Sequence, residues 1–325
     1  MDRIELSSVI IGDNITEGVY CLKSVQKGND KYLVVLKDKS GELNCELAPE
    51  RYEKGIDSLV GGPVLASFVV VNGLNTTPLG IIKSLKKAED GSYNPSDVLD
   101  GLNDEVIARY KSTIKDCMKN ITDKGLSKLV ASVLDEQTLS QLASMPATLA
   151  YHGRYRGGAL ATTATVTKMV IQSGFQYIKA KNGLYEPKLD WNILITASLL
   201  ANVGVIDYLS NEPPFLMTPV GLERGYMSVL QHRIEKVADT IPEISEFTLA
   251  RILNILACSI PMKSGVKATS QEGVVLRHCQ LLYEELDMLD YEMANHEAED
   301  GEGYFYNSKL RRNIYLPNGE EEKAS

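Results

Sequence analysis

The chain has 325 residues, 44% hydrophobic and 24% charged, enough for about two domains with real cores. Its net charge of −9 excludes a protein that is basic as a whole, so any nucleic-acid contact must come from a local patch. Five cysteines (Cys21, Cys45, Cys117, Cys258 and Cys279) with no CxxC pair argue against a disulfide framework or a zinc knuckle, and predict a reducing, cytoplasmic setting.

The opening MDRIELSSVI carries an acid at position 2 and no apolar run, which predicts no secretory leader. No stretch reaches the ~18–20 uncharged apolar residues of a membrane span, so no membrane partner is expected. Residues 1–86 read as β. EGVYCLKSV, KYLVVLKDKSGELNCEL, GPVLASFVVVN and PLGIIKSL are short β-branched runs separated by the turns Lys27–Asp30, Asp38–Gly41 and Asn72-Gly73. About five such strands predict a small barrel of the OB type, a frequent oligonucleotide binder. Packing alone is the other role open to it.

Residues 87–98, polar and turn-rich, read as a linker. From 99 to 302 the pattern turns helical. Leu102, Val106, Tyr110, Ile114, Cys117 and Ile121 recur at spacings of three and four. Shorter helices follow around Leu126–Val133 and Leu139–Leu142, the latter closed by Pro146, and an Ala/Thr-rich helix follows Gly157-Gly158. WNILITASLLANVGVI is apolar nearly all round, which places it at the centre of a bundle. Further amphipathic helices are expected near 224–239, 245–258 and 270–290. Residues 303–325 form a tail with an apolar LRRNIY segment, a possible contact between subunits. The fold expected is therefore a multidomain α+β chain: a small β-barrel, then an all-α bundle.

This order of segments resembles the YhaM-type 3′–5′ exoribonucleases, which join an OB-fold to an HD-superfamily phosphohydrolase domain. DKSGE at 38–42, KGLSKLVASVLDEQTLSQLASMPAT at 124–148, YHGRYRGGALATT at 151–163 and GYFYNSKLRRNIY at 303–315 carry the resemblance. It implies a metal centre of histidines and aspartates that activates water. The residues at those positions differ. The family's Glu-His falls on Ala161-Thr162, its His-Asp pair on Ala201-Asn202, its His-His near Cys258-Ser259 and its late Asp near Gln280. Alanine and threonine cannot replace imidazole, and Asp207 alone, which could stand in for one ligand, makes a poor metal site. The resemblance thus implies an HD-like domain without its metal, a pseudoenzyme with no cofactor and no catalytic residues.

The residues expected to touch nucleic acid are Tyr20 and Tyr32 as stacking rings, Lys23 and Lys31 on the first hairpin, and His152, Arg154, Arg156 and Lys168 beyond it. Residues 151–190 hold six basic residues against Glu186 and Asp190. Each signal has a plainer reading: tyrosines in strands pack, charge runs are solvated, and His152 can simply flank a helix. His232 is expected to face solvent, and His278 to be either packed or functional. The function expected is non-catalytic binding of single-stranded RNA or DNA by a homo-oligomer. The alternatives are a regulatory or scaffold subunit working through protein contacts and, more remotely, a metal-dependent exonuclease with a rearranged site.

Overall fold

A computed structural model describes residues 4–89, 91–181, 184, 186, 188–259, 266–296 and 303–316. Parts of the expected barrel (1–3), bundle (297–302) and tail (317–325) lie outside the described residues.

Five strands, β1 (Asn14–Lys27), β2 (Tyr32–Asp38), β3 (Gly41–Leu47), β4 (Pro63–Asn72) and β5 (Pro78–Lys87), close into a barrel in the order β1-β2-β3-β5-β4. All neighbours are antiparallel except β3 and β5, which run parallel. Alternation in the sequence sets the inside. Leu22, Leu36 and Leu43 stand side by side across β1, β2 and β3, and Val34 pairs with Cys45 one step along. All of them are buried, with Phe68 and Ile82 facing them from β4 and β5. The β2–β3 turn is held by Asp38, whose carboxylate accepts from the backbone N–H groups of Ser40 (2.7 Å) and Gly41 (3.1 Å). Its second oxygen accepts from Leu6 N (3.0 Å), which seats the N-terminal segment on the barrel.

The segment expected to be a linker is tied down. It contains a single turn, α1 (Pro95–Val98), capped by Asn94. Lys39 bonds Asp97 through both its backbone N–H (3.1 Å) and its ammonium (2.9 Å), and Lys37 pairs with Asp100 at 2.8 Å.

The helical region follows as α2 (Asp104–Met118), α3 (Lys124–Val133), α4 (Glu136–Ser144), α5 (Gly158–Lys181), α6 (Trp191–Leu200), α7 (Val205–Tyr208), α8 (Pro219–Arg224), α9 (Tyr226–Ala238), α10 (Glu246–Ser259) and α11 (Gln271–Ala294). Asn103, Asp123, Asp135, Asp190, Thr218 and Ser270 each cap a helix by accepting a backbone N–H two or three residues on. Every residue of α6 from Ile193 to Leu200 is buried. The run Trp191–Tyr208 has the length and mean hydropathy of a membrane span, but 78% of it is buried against the rest of the fold.

The C-terminal segment is not a loose tail as far as it is described. Tyr304–Asn307 (β6) and Arg312–Tyr315 (β7) form an antiparallel hairpin. Phe305 and Ile314 are its buried cross-strand pair.

The turn before α5 is packed backbone on backbone. A Cβ built on Gly158 would lie 2.1 Å from the Gly153 carbonyl oxygen. Gly153 itself sits at φ +57, a conformation that favours glycine. Gly158→Ala is expected to cost at least about 2 kcal/mol of unfolding free energy, because backbone rather than a movable side chain must give way. Urea denaturation of the two proteins measures this.

Candidate functional site

The positions that the family resemblance assigned to metal ligands lie on packed, buried elements. Thr162 is on α5, Ala201 and Asn202 follow α6, and Gln280 is on α11; all four are buried. Glu284 sits one turn beyond Gln280 and accepts from its amide at 3.0 Å. His152, expected to be available to a phosphate, is instead buried with its Nε2 3.8 Å from the Glu284 carboxylate. Tyr226 reaches across from α9 to donate to the Ala201 carbonyl oxygen (2.8 Å). His152 Nε2, Asn202 Nδ2 and Gln280 Oε1 have no hydrogen-bond partner among the described residues.

Burial decides the charge states here. It pushes the His152 imidazole down to about 4 and the Glu284 carboxyl up to about 7, the latter against the opposing hydrogen bond from Gln280. Such a pocket favours neutral groups. It offers one neutral imidazole, amides, a threonine hydroxyl and one reluctant carboxylate. That donor set does not fit a divalent cation of the kind the resemblance implies. Asp207 does not help, since Arg233 binds it through two nitrogens at 2.6 and 3.2 Å. Burial also raises all five cysteine thiols, Cys21 to about 11 and Cys45 to about 12, so none is poised as a thiolate nucleophile.

The residues expected to bind nucleic acid are scattered. Tyr20 offers no ring to a base: it is fully buried, packs against Phe68 with ring centroids 5.7 Å apart, and donates its hydroxyl to the Ile4 carbonyl oxygen. Tyr32 is half-buried and stacked on Tyr52 at 4.1 Å, so one of its faces is taken. Lys23 and Lys31 pair with Glu42 (2.6 Å) and Glu46 (2.5 Å) on β3. Arg156 is turned inward to Ser96 Oγ, the Leu102 carbonyl oxygen and Asp104. Arg154 lies 3.4 Å from the Tyr291 ring centroid and pairs with Glu292 at 3.2 Å. These two arginines are structural because their carboxylate and carbonyl partners come from distant parts of the chain. Of the second group only Lys168 is exposed, with His232 and His278 also at the surface.

Sequence reasoning missed the residues that the hairpin exposes. Tyr304, Tyr306 and Tyr315 share its outer face. The signal was the period-2 pattern of YFYN and RNIY, in strands of only four residues. No protein-family model matches the chain, and no curated protein matches it.

Ionising Glu284 in this pocket costs stability. Its folded-state pKa lies above the ordinary 4.5, so the stability it contributes is complete below about 4.5 and lost as pH rises through about 7. His152 has the opposite sign: its contribution is present above 6.5 and lost as pH falls through about 4. Glu284→Gln removes only the first loss. It is expected to match the parent protein at pH 4 and to exceed it by about 3 kcal/mol at pH 8, from ~1.4 kcal/mol per pKa unit. Denaturant unfolding at the two pH values measures the difference.

Proposed function

We propose that this chain is a non-catalytic, single-stranded nucleic-acid-binding protein, built like the YhaM-type exoribonucleases from an OB-type barrel and an HD-type helical domain. The barrel's closure carries the reading. A five-stranded barrel in the order β1-β2-β3-β5-β4 with a parallel β3–β5 pair supports an OB fold, whose β2–β3 face and whose β1–β2 and β4–β5 loops bind oligonucleotides. Here that face carries Leu33, Val35 and Lys37 beside Asn44, Lys27 ends β1, and the loops add Lys31 and the 90% exposed Leu74. Lysines already paired with glutamates bind phosphate by exchanging partners, so affinity is modest and sensitive to salt.

The non-catalytic part of the reading rests on residue chemistry. Thr162, Ala201, Asn202 and Gln280 supply neither the imidazoles nor the carboxylates that activate a metal-bound water.

Anisotropy titrations with labelled single-stranded RNA and DNA test the binding. The expected result is association with both, with log affinity falling against log salt at a slope on the order of −2, as for about three phosphates. No association at low salt would refute it. Incubation with manganese is expected to leave the RNA full length, both for the parent and for Ala201→His/Asn202→Asp, whose shell still lacks ligands at Thr162 and Gln280. Metal-dependent shortening above a mock preparation would refute the non-catalytic assignment.

One observation favours a scaffold reading as well. Val274, Leu282 and Leu286 are about half exposed at four-residue multiples along α11, with Tyr177 across the groove that Val274 and Leu282 border. Such a stripe suits a homo-oligomer. Leu282→Glu/Leu286→Glu is then expected to lower the mass measured by light scattering.

A further inference from the structure

The barrel face proposed above for nucleic acid lacks exposed aromatic rings, and the hairpin has three. Strand alternation sends Phe305, Asn307 and Ile314 inward and leaves Tyr304, Tyr306 and Tyr315 outside, 64%, 65% and 48% exposed. Tyr304 and Tyr315 face each other across the strands with centroids 5.2 Å apart, and Tyr306 stands two residues further along β6. The three therefore share one face of a two-stranded sheet, Tyr304 and Tyr315 in contact and Tyr306 beside them along β6, opposite Asn313.

That surface is held rigidly from below. Phe305 stacks on His296 at 3.7 Å with the rings 9° from parallel. Asn307 donates to Glu292 at 2.8 Å, and its side-chain oxygen accepts from Leu310 N at 2.9 Å, fixing the turn. At the mouth of the hairpin Leu316 N donates to the Gly303 carbonyl oxygen at 2.9 Å. A fixed aromatic platform orders few new degrees of freedom when a flat partner settles on it.

Charge selects the partner. Residues 303–316 include Lys309, Arg311 and Arg312 and no acidic residue, in a chain whose net charge is −9. Arg311 is exposed at the turn, and Lys309 and Arg312 keep 66% and 42% of their side-chain surface in solvent while pairing with Glu292 and Glu285. Exposed rings bordered by cations fit a polyanion with flat apolar faces. A second copy fits less well, because residues 303–316 of its own hairpin hold no carboxylate to meet Arg311.

We propose that the outer face of the β6–β7 hairpin is a stacking platform for the bases of a single nucleic-acid strand, with Tyr304, Tyr306 and Tyr315 beneath the bases and Arg311 at the phosphates. Stacking on rings is tolerant of sequence because every base presents a π-face. The platform thus binds unpaired strands generally and rejects duplexes, whose bases are already stacked. This inference rests on the nucleic-acid reading above.

The test uses the full chain and labelled oligo(U) and oligo(dT) of about 12 nucleotides, within the span that one single-strand module covers. Tyr304→Ala/Tyr306→Ala/Tyr315→Ala is expected to weaken binding roughly 100-fold or more, and the triple Tyr→Phe variant by less than about 3-fold. Arg311→Glu is expected to reduce the salt slope by about one. Tyr306→Ala alone leaves the Tyr304–Tyr315 cross-strand pair in place, so it is expected to weaken binding while the melting temperature stays at the parent's value. If the parent binds and the triple alanine variant binds equally well, the platform is refuted while the barrel reading stands. If the parent binds neither oligonucleotide at low salt, both fail. If the alanine substitutions instead convert an oligomer to a monomer and leave binding intact, the hairpin belongs to a second copy and the proposal is overturned.

Discussion

The turn from Pro146 to Gly158 is where the parts of this protein are fastened together. Gly153 N donates to Asp287 on α11 at 2.8 Å, while its carbonyl oxygen accepts from Ala147 N. Arg156 exchanges backbone hydrogen bonds with Asp100 and Leu102, so the connection from the barrel is sewn to the same turn. Arg154 completes it by clamping Glu292 from one side while Asn307 and Lys309 hold it from the other. Burial works against the Glu292 charge, but these hydrogen bonds outweigh it and keep the carboxyl below its ordinary range. Breaking the arginine contact would leave the half-buried carboxylate to Asn307 and Lys309 alone and untie the hairpin from the Pro146–Gly158 turn.

This explains why the basic stretch at 151–190 misleads when read as a surface. Counting charges in a row assumes that each side chain faces water. Arg154 and Arg156 face Glu292, Asp104 and a carbonyl oxygen that are all far away in the sequence, and no local pattern announces them. Tyr20 misleads for a related reason. Its ring folds back over Gly18, where a Cβ would come within 2.5 Å of it, and fills the barrel. Local signals were readable where local physics decides. The Asp38 turn and the all-round apolar α6 stand where the sequence puts them, because each depends on neighbours a few residues away. The hairpin strands were not readable. Four-residue strands carry too few alternations to outweigh their setting, and they rest on His296 and on two carboxylates of α11, Glu285 and Glu292.

The buried layer around His152 and Glu284 is polar without offering a strong ligand set. The groups stay polar, but burial drives them toward neutrality, and Tyr226 closes the layer by bonding the Ala201 backbone. A site that must hold a doubly charged ion requires anions and lone pairs aimed at one point. This layer has amides, a hydroxyl and one carboxyl that resists ionisation. It behaves as a polar seam within the core, specifying how α5, α6 and α11 meet.

The Glu292 clamp also has a consequence for the order of assembly. Its partners lie at 154, 307 and 309, so its last two contacts wait until residues 307 and 309 have been made. The hairpin's inward face needs His296 and the final turns of α11, which in turn pack on α5, while the hairpin alone is two strands of four residues, too small to stand by itself. It therefore takes shape only on a helical region that is already complete. During synthesis the aromatic face forms after the helices it rests on, and a chain stalled before residue 304 does not display it. A formed hairpin with those tyrosines on one face thus reports that the end of α11 and the Arg154 turn have folded beneath it.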